Sequence, residues 1–187
     1  MEVPLHLDAR YTPPAVAIHW LAALLILGAI AMGVYMTGLQ VSPFRLRLYN
    51  WHKWLGFTIL ALSVLRLLWR LSHRPPADVA MPAWQRRAAH ISHWAMYALF
   101  FAVPLAGWLY SSASGFPVVV FGVLPLPDLV AADEALARAL KPWHANLALA
   151  LGALIALHVA AVCKHQFMDH DGLLSRMLPR ALQRQPQ

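Results

Sequence analysis

The stretch WHANLALALGALIALHVAAVC, residues 143–163, is apolar almost throughout and carries two histidines, His144 and His158. It is long enough to cross a bilayer, which takes about 20 mostly apolar residues in a helix. The two histidines are 14 residues apart, which is about 21 Å along a helix and about 40° short of four full turns. This stretch therefore predicts a transmembrane helix that presents two imidazoles on one face at two depths.

Three further windows, residues 16–36, 54–71 and 92–111, are also apolar and long enough to span a membrane. The composition agrees, since 60% of the residues are hydrophobic and only 12% are charged, against about 25% charged in a soluble domain. We predict an all-α integral membrane protein, a single domain over residues 1–187 that forms a four-transmembrane-helix bundle. The predicted helices run at about 14–37, 50–71, 90–111 and 143–167.

A fifth apolar run, FPVVVFGVLPLPDLV at residues 116–130, is about 15 residues long and holds three prolines. A membrane span of that length and proline content is not expected. The segment 112–142 is therefore predicted to be a periplasmic loop, with this run lying at the membrane interface.

The basic residues predict the orientation of the bundle, because cytoplasmic loops of membrane proteins are enriched in Lys and Arg. The side that holds the first and third loops carries five: Arg45, Arg47, Lys53, Arg138 and Lys141. The side that holds both termini and the middle loop carries ten: Arg10, Arg66, Arg70, Arg74, Arg86, Arg87, Lys164, Arg176, Arg180 and Arg184. Both termini are thus predicted to be cytoplasmic. The net charge of +7 is interpreted as membrane topology, and no nucleic-acid partner is predicted.

The chain has ten histidines, and ionisable residues within membrane spans are costly and by default candidates for function. Helices that run alternately inward and outward place His52 at the external level of His144. They also place His19 and His93 at the cytoplasmic level of His158, and depth alone does not choose between these two. Opposed imidazole pairs between facing helices suit two haems with bis-histidine ligation, held non-covalently because the chain has no C-x-x-C-H motif. Zinc fits less well, because structural zinc sites use close clusters of Cys and His.

Other ionisable residues are candidates at the two membrane surfaces. Arg66 and Arg70 lie on one face of the second helix and could neutralise haem propionates, although Arg70 could equally reach lipid headgroups. Candidates for quinone binding or proton relay at the cytoplasmic level are His90, His93 and His165. The histidines interpreted as interfacial or hydrogen-bonded residues are His6, His73 and His170. The five external basic residues could steer an anion toward the outer mouth or, equally, contact lipid headgroups.

Five stretches resemble the bacterial cytochrome b561 family, and together they run from about residue 10 to residue 180. They are AIHWLAALLI (17–26), NWHKWLGFTILALSVLRLLWRL (50–71), AAHISHWAMYALFFAVPLAGWL (88–109), KPWHANLALALGALIALHVAA (141–161) and DGLLSRMLPR (171–180). Members of this family are four-helix inner-membrane cytochromes with two b-type haems. The resemblance implies that the axial ligands are His52 with His144 on the periplasmic side and His19 with His158 on the cytoplasmic side.

The resemblance also implies electron transport at the bacterial inner membrane, with several membrane spans. Some members of the family take electrons from superoxide at the periplasmic side, release O2 and reduce ubiquinone. For this chain we therefore expect a superoxide:ubiquinone oxidoreductase in which electrons pass through two stacked haems. Two alternatives stay open: a non-catalytic cytochrome b subunit that links a partner dehydrogenase or hydrogenase to the quinone pool, and a bundle that uses its histidines for ions. A homodimer is also left open.

Overall fold

The structure is a computed structural model that describes residues 10–179. His6, Arg180 and Arg184 therefore lie outside the described residues. Four long helices make up most of the chain: α1 (Pro13–Thr37), α2 (Pro43–Ser72), α3 (Ala83–Ala113) and α4 (Glu134–Lys164). Each is long and apolar enough to cross a membrane, so the predicted all-α, four-helix fold is confirmed.

Three of the four helices begin earlier than predicted. α2 begins at Pro43 rather than near residue 50, α3 at Ala83 rather than near 90, and α4 at Glu134 rather than near 143. The added turns, PFRLRLY, AWQRRAA and EALARALKP, mix charged with apolar side chains. Apolar windows locate the part of a helix that crosses hydrocarbon, whereas these polar turns extend beyond it.

Local capping explains two of these early starts. Ser42 Oγ accepts a hydrogen bond from the backbone N–H of Arg45 at 3.2 Å, and the proline that follows Ser42 has no N–H to satisfy. Asp133 Oδ1 likewise accepts from the backbone N–H of Leu136 at 3.0 Å. α4 then continues through Pro142, so the predicted loop 112–142 is shortened to residues 114–133.

The core of the bundle lies between the two predicted levels of histidines. α1 packs on α2, α2 on α3, and α3 on α4. The buried residues that meet at mid-depth are Ala22, Ile26, Ala29, Ile59, Met96, Tyr97, Phe100 and Leu151. Large side chains such as Leu24, Leu68 and Leu149 point outward and are exposed, as expected where the outer face of a helix meets lipid tails that are as apolar as leucine.

The loop 114–133, which we predicted to be external and call the external loop, folds back onto the ends of α2 and α3. Its two-residue strands, β1 (Val119–Val120) and β2 (Leu124–Pro125), pair antiparallel. Trp54 of α2 and Trp108 of α3 donate their indole N–H groups to carbonyls of this loop at 2.7 and 3.2 Å. The run that we predicted to lie at the interface is therefore a short hairpin fastened to two helices.

The C-terminal segment closes the opposite end of the bundle. α4 ends at Lys164 rather than near residue 167, and the chain passes into a π turn, His165–Asp169. Trp20 of α1 donates its indole N–H to the carbonyl of Met177 at 2.7 Å. Arg176 donates to a carbonyl of the loop between α2 and α3 at 2.6 Å. The DGLLSRMLPR stretch thus ties the start of α1 to that loop.

Candidate functional site

The structure brings His52 of α2 and His144 of α4 together at one end of the bundle. Their ring centres are 6.1 Å apart and the ring planes are nearly perpendicular, at 86°. Both side chains are half-buried. The two Trp-His pairs of the sequence therefore meet across the bundle at the level predicted from their depth.

The hydrogen bond of His144 defines which of its nitrogens is free. His144 Nδ1 lies 3.0 Å from the carbonyl oxygen of Val103. A carbonyl only accepts, so Nδ1 carries the proton and Nε2 keeps its lone pair. Gly107 gives this ring its space, since a Cβ at that position would lie 2.9 Å from His144 Cε1. His144 thus presents an unprotonated Nε2, the form in which imidazole binds a metal.

His52 is held more loosely than its partner. Its Nδ1 is buried and has no hydrogen bond of normal geometry within the described part of the chain, although the backbone carbonyl of Ala29 lies near the ring. A Cβ at Gly33 would lie 3.3 Å from His52 Cε1. A small rotation of the ring would let Nδ1 donate to that carbonyl and leave Nε2 free, as in His144.

Two cavities flank this pair of histidines. The larger, of about 580 Å³, opens toward the external loop and is lined by both histidines and by Gly56. The smaller, of about 350 Å³, reaches toward the core and shares the same three residues. Sites for cofactors and other small ligands usually measure about 300–1,000 Å³, so the space beside the pair is of the right order for one.

At the other level, His158 has two imidazole neighbours. Its ring centre is 6.5 Å from that of His19 and 5.6 Å from that of His93. All three side chains are half-buried. Both candidate partners that depth alone left open, His19 and His93, therefore lie beside His158, and distance alone does not choose between them.

Arg66 contacts this inner group of histidines directly. Its Nη2 lies 3.0 Å from His19 Nδ1, and its guanidinium lies 5.4 Å from the centre of the Tyr97 ring. Because a guanidinium only donates, Nδ1 of His19 accepts and Nε2 holds the proton in this arrangement. Binding of a metal by His19 Nε2 therefore requires Arg66 to release Nδ1. Arg70, one turn further on, also lies against Tyr97, at 5.7 Å.

The two remaining cytoplasmic candidates have partners of their own. His90 is exposed and lies 3.1 Å from a carboxylate oxygen of Asp78. His165 is buried, and its Nδ1 lies 2.5 Å from Asp171 and 3.3 Å from Asp169. Within residues 10–179, His165, Asp169 and Asp171 form the one group of His, Cys, Asp or Glu side chains able to converge on a metal ion. Sequence reasoning missed both carboxylates, whose only signal was the spacing of HQFMDHD after the last span.

The five external basic residues do not form one cluster. Lys53 Nζ donates to two carbonyls of the external loop at 3.0 and 3.3 Å, and Arg138 forms an ion pair with Glu134 at 2.5 Å. Arg47 and Lys141 are exposed. Arg45 and Lys53 are the two members that line the larger cavity. The predicted group is thus divided into residues that face the cavity and residues that do not.

Four membrane helices with opposed imidazoles between them are typical of b-type membrane cytochromes. A sequence model of the family described as Prokaryotic cytochrome b561 matches residues 10–180, and the chain belongs to this family. The predicted family is therefore confirmed, and with it a multi-pass bacterial membrane cytochrome that transfers electrons. Haem b is the cofactor that membership in this family implies.

Three relatives are similar to this chain over nearly its whole length. Cytochrome b561 homolog 2 of Escherichia coli (strain K12) is 34% identical over 176 residues, covering 92% of this chain and 93% of the relative. Probable superoxide oxidase CybB of Yersinia pestis is 30% identical over 177 residues, covering 91% and 97%. Cytochrome b561 homolog 1 of Escherichia coli (strain K12) is 28% identical over 175 residues, covering 91% and 98%.

The residues at the outer level fit a haem. Imidazole nitrogens bind a metal such as zinc at about 2.0–2.1 Å. Two imidazoles that share one metal ion at this bond length would have ring centres about 6 Å apart. The observed separation of the two ring centres is 6.1 Å. The unpartnered Nδ1 of His52, the space left by Gly33 and Gly107 and the two flanking cavities agree with this. At the inner level the ring centres of His19 and His93 lie 6.5 and 5.6 Å from that of His158, and both separations are of the same size.

Proposed function

We propose that this protein is a di-haem cytochrome that moves electrons from a periplasmic one-electron donor, superoxide, to ubiquinone. His52 and His144 would hold one non-covalent haem b on the periplasmic side, and His19 and His158 the other on the cytoplasmic side. The observation that carries this proposal is the pair of facing imidazoles at each of two levels, with α4 contributing to both. Both termini would lie in the cytoplasm, with the protein in the bacterial inner membrane.

Haem b, once bound, supplies reversible one-electron chemistry, and the protein sets access and electrostatics around it. The buried shell between the levels, which includes Ile59, Phe100 and Leu151, keeps water out of the space between the two sites. Arg66 and Arg70 would supply positive charge to the acidic groups of the inner haem. Among the described residues neither arginine has a carboxylate in an ion pair, so both are available for that role.

The outer cavity favours a small anionic donor. Arg45 and Lys53 line it, and no carboxylate does, so its charge attracts an anion. Phe116, Val118 and Leu126 of the external loop also line it and would stand between the histidine pair and a docked protein. A diffusible anion of two atoms can pass where a protein surface cannot, and superoxide meets that condition.

Quinone reduction also consumes protons, and the cytoplasmic end offers groups to move them. Two superoxide anions become two O2 and yield two electrons, which with two protons convert one ubiquinone to ubiquinol. His93, beside His158, would contact the quinone or its protons. His165 and Asp171 form a hydrogen-bonded pair nearer the cytoplasm and would pass protons inward, with His90 and Asp78 at the surface.

The test is optical and uses the purified full-length chain in detergent. Haem per polypeptide is measured first, and superoxide is then added anaerobically with and without a ubiquinone analogue. We expect two haems that are reduced by superoxide and reoxidised when quinone is present, with one quinol formed for every two superoxide anions. Haems that dithionite or quinol reduces but superoxide does not would exclude superoxide. That result would favour the alternative, a subunit that serves a partner dehydrogenase or hydrogenase.

The variant His93→Ala distinguishes the roles of His19 and His93, the two imidazoles that lie near His158. We expect this variant to keep both haems and the wild-type spectrum, because His19 would supply the ligand. Quinone-dependent reoxidation should slow by roughly tenfold or more, since positioned acid–base groups contribute about 10²–10⁴ in rate. Haem stoichiometry and stopped-flow absorbance measure the two effects. Loss of one haem in His93→Ala, with both kept in His19→Ala, would make His93 the ligand instead.

A further inference from the structure

Arg45 differs from every other external basic residue in what surrounds its guanidinium. Nε of Arg45 is buried and has no hydrogen-bond partner within the described residues. Its Nη2 donates to the hydroxyl of Tyr49 at 3.2 Å. Arg47, two residues along, is exposed and lies against the Phe44 ring at 5.9 Å. Only one of these neighbouring arginines therefore has a buried donor that lacks an acceptor.

The position of Arg45 relates it to the outer histidine pair. It precedes His52 by seven residues on α2, which is about 10.5 Å along the helix and about 20° short of two full turns. Both residues therefore lie on one face of α2, and both line the larger cavity together with His144. Arg45 lies near the start of α2 at Pro43, and His52 lies about two turns further along the helix.

The chemistry of the lining indicates what Arg45 binds. A guanidinium has five N–H donors and no acceptor, and it pairs with carboxylates in a two-pronged geometry. The described residues that line the cavity include no Asp or Glu, so none of them supplies a carboxylate to Arg45. Tyr49 accepts from Arg45 and keeps its own O–H proton, which leaves the phenol able to donate to the same acceptor.

We propose that Arg45, assisted by Tyr49, anchors an anionic group in the outer cavity, and that this group is a carboxylate of the outer haem b. The inference rests on the proposed function, since it needs a haem at His52 and His144. Arg45 is then a cofactor anchor, and Lys53 is the cavity-lining cation that is left to attract a free anion. A fixed cation beside the outer haem also favours its reduced form and raises its midpoint potential.

The test combines substitutions in the protein with a chemical change in the cofactor. Full-length wild type, Arg45→Gln and Arg47→Gln are each depleted of haem in detergent and reloaded with haem b or with its dimethyl ester, which lacks both carboxylates. Affinity is followed by absorbance, and the midpoint potential of each haem by redox titration. Arg47→Gln is the matched control for affinity, because its guanidinium lies outside the cavity. Arg45→Lys keeps the charge and loses the two-pronged geometry.

With haem b, we expect Arg45→Gln to weaken binding at the outer site by about 10- to 100-fold, as for loss of a charged hydrogen bond, and to lower the outer midpoint potential. Arg45→Lys should fall between Arg45→Gln and wild type, and Arg47→Gln should match wild type. With the dimethyl ester, wild type and Arg45→Gln should bind the cofactor with the same affinity, because the carboxylate partner of Arg45 is gone.

Other outcomes would overturn the assignment. An effect of Arg45→Gln on affinity that is equally large with the dimethyl ester, and that depends on chloride concentration, would identify a free solvent anion as the partner of Arg45. Equal affinity of wild type and Arg45→Gln for haem b would show that Arg45 does not anchor a haem carboxylate. The di-haem proposal would be unaffected by that result. A wild-type chain that binds no haem b would instead overturn the proposed function itself.

Discussion

His144→Ala is expected to reduce the haem content from two per chain to one, and the haem that remains should be the inner one. Of the two outer imidazoles, His144 is the one held by a hydrogen bond, because its Nδ1 donates to the Val103 carbonyl and its Nε2 is left free. His52→Ala should remove the same haem, since an axial pair is lost when either member is lost. Haem per polypeptide and the electron paramagnetic resonance spectrum of the oxidised protein measure this.

The inner pair provides the reciprocal experiment. His19→Ala or His158→Ala should remove the other haem and leave the outer signal unchanged. Combining His52→Ala with His144→Ala should cost no more haem than either change alone, because residues that act on one ligand site are not additive. Any of the four variants that keeps two haems with an unchanged spectrum counts against that histidine as a ligand.

Gly107→Ala is expected to abolish stable binding at the outer site although it adds a single methyl group. The new Cβ would lie 2.9 Å from His144 Cε1, closer than carbon atoms pack, so the ring must move and its bond to the Val103 carbonyl is strained or broken. We expect the outer haem to be lost during purification, while the inner haem and the helix content stay as in wild type. Haem stoichiometry and circular dichroism test these expectations together.

Other glycines supply graded controls for this effect. Gly33→Ala would place its Cβ 3.3 Å from His52 Cε1, a milder contact, and Gly28→Ala would meet no atom within 4 Å. The expected order of haem loss is therefore Gly107→Ala, then Gly33→Ala, with none for Gly28→Ala. Gly28→Ala should be neutral or slightly stabilising, because alanine is favoured over glycine in helices by about 1 kcal/mol. Full retention of the outer haem in Gly107→Ala would contradict this account of how His144 is held.

The predicted helices and histidine levels agree with the structure where each depends on one helix alone. Residues 143–163 are helical because an apolar segment of that length in lipid must satisfy its backbone internally. The spacing of His144 and His158 sets their two depths because the rise per residue is constant. The starts of α2, α3 and α4 were wrong by seven to nine residues, because the turns beyond the hydrocarbon are polar. Side-chain caps stabilise the added turns of α2 and α4.

The amino-acid sequence by itself determined the class of fold, the number of spans and which histidines lie at the same level of the bundle. These follow from hydropathy and helical rise, which are properties of single segments. Only the tertiary structure decided that Arg45 lines the outer cavity while Arg47 does not, that Lys53 holds the external loop, and that Arg66 contacts His19. It also brought the ring of His93 closer to that of His158 than the ring of His19 is, at 5.6 against 6.5 Å. Such contacts depend on how each helix is rotated about its own axis and where the loops return, and neighbouring helices set both through their packing.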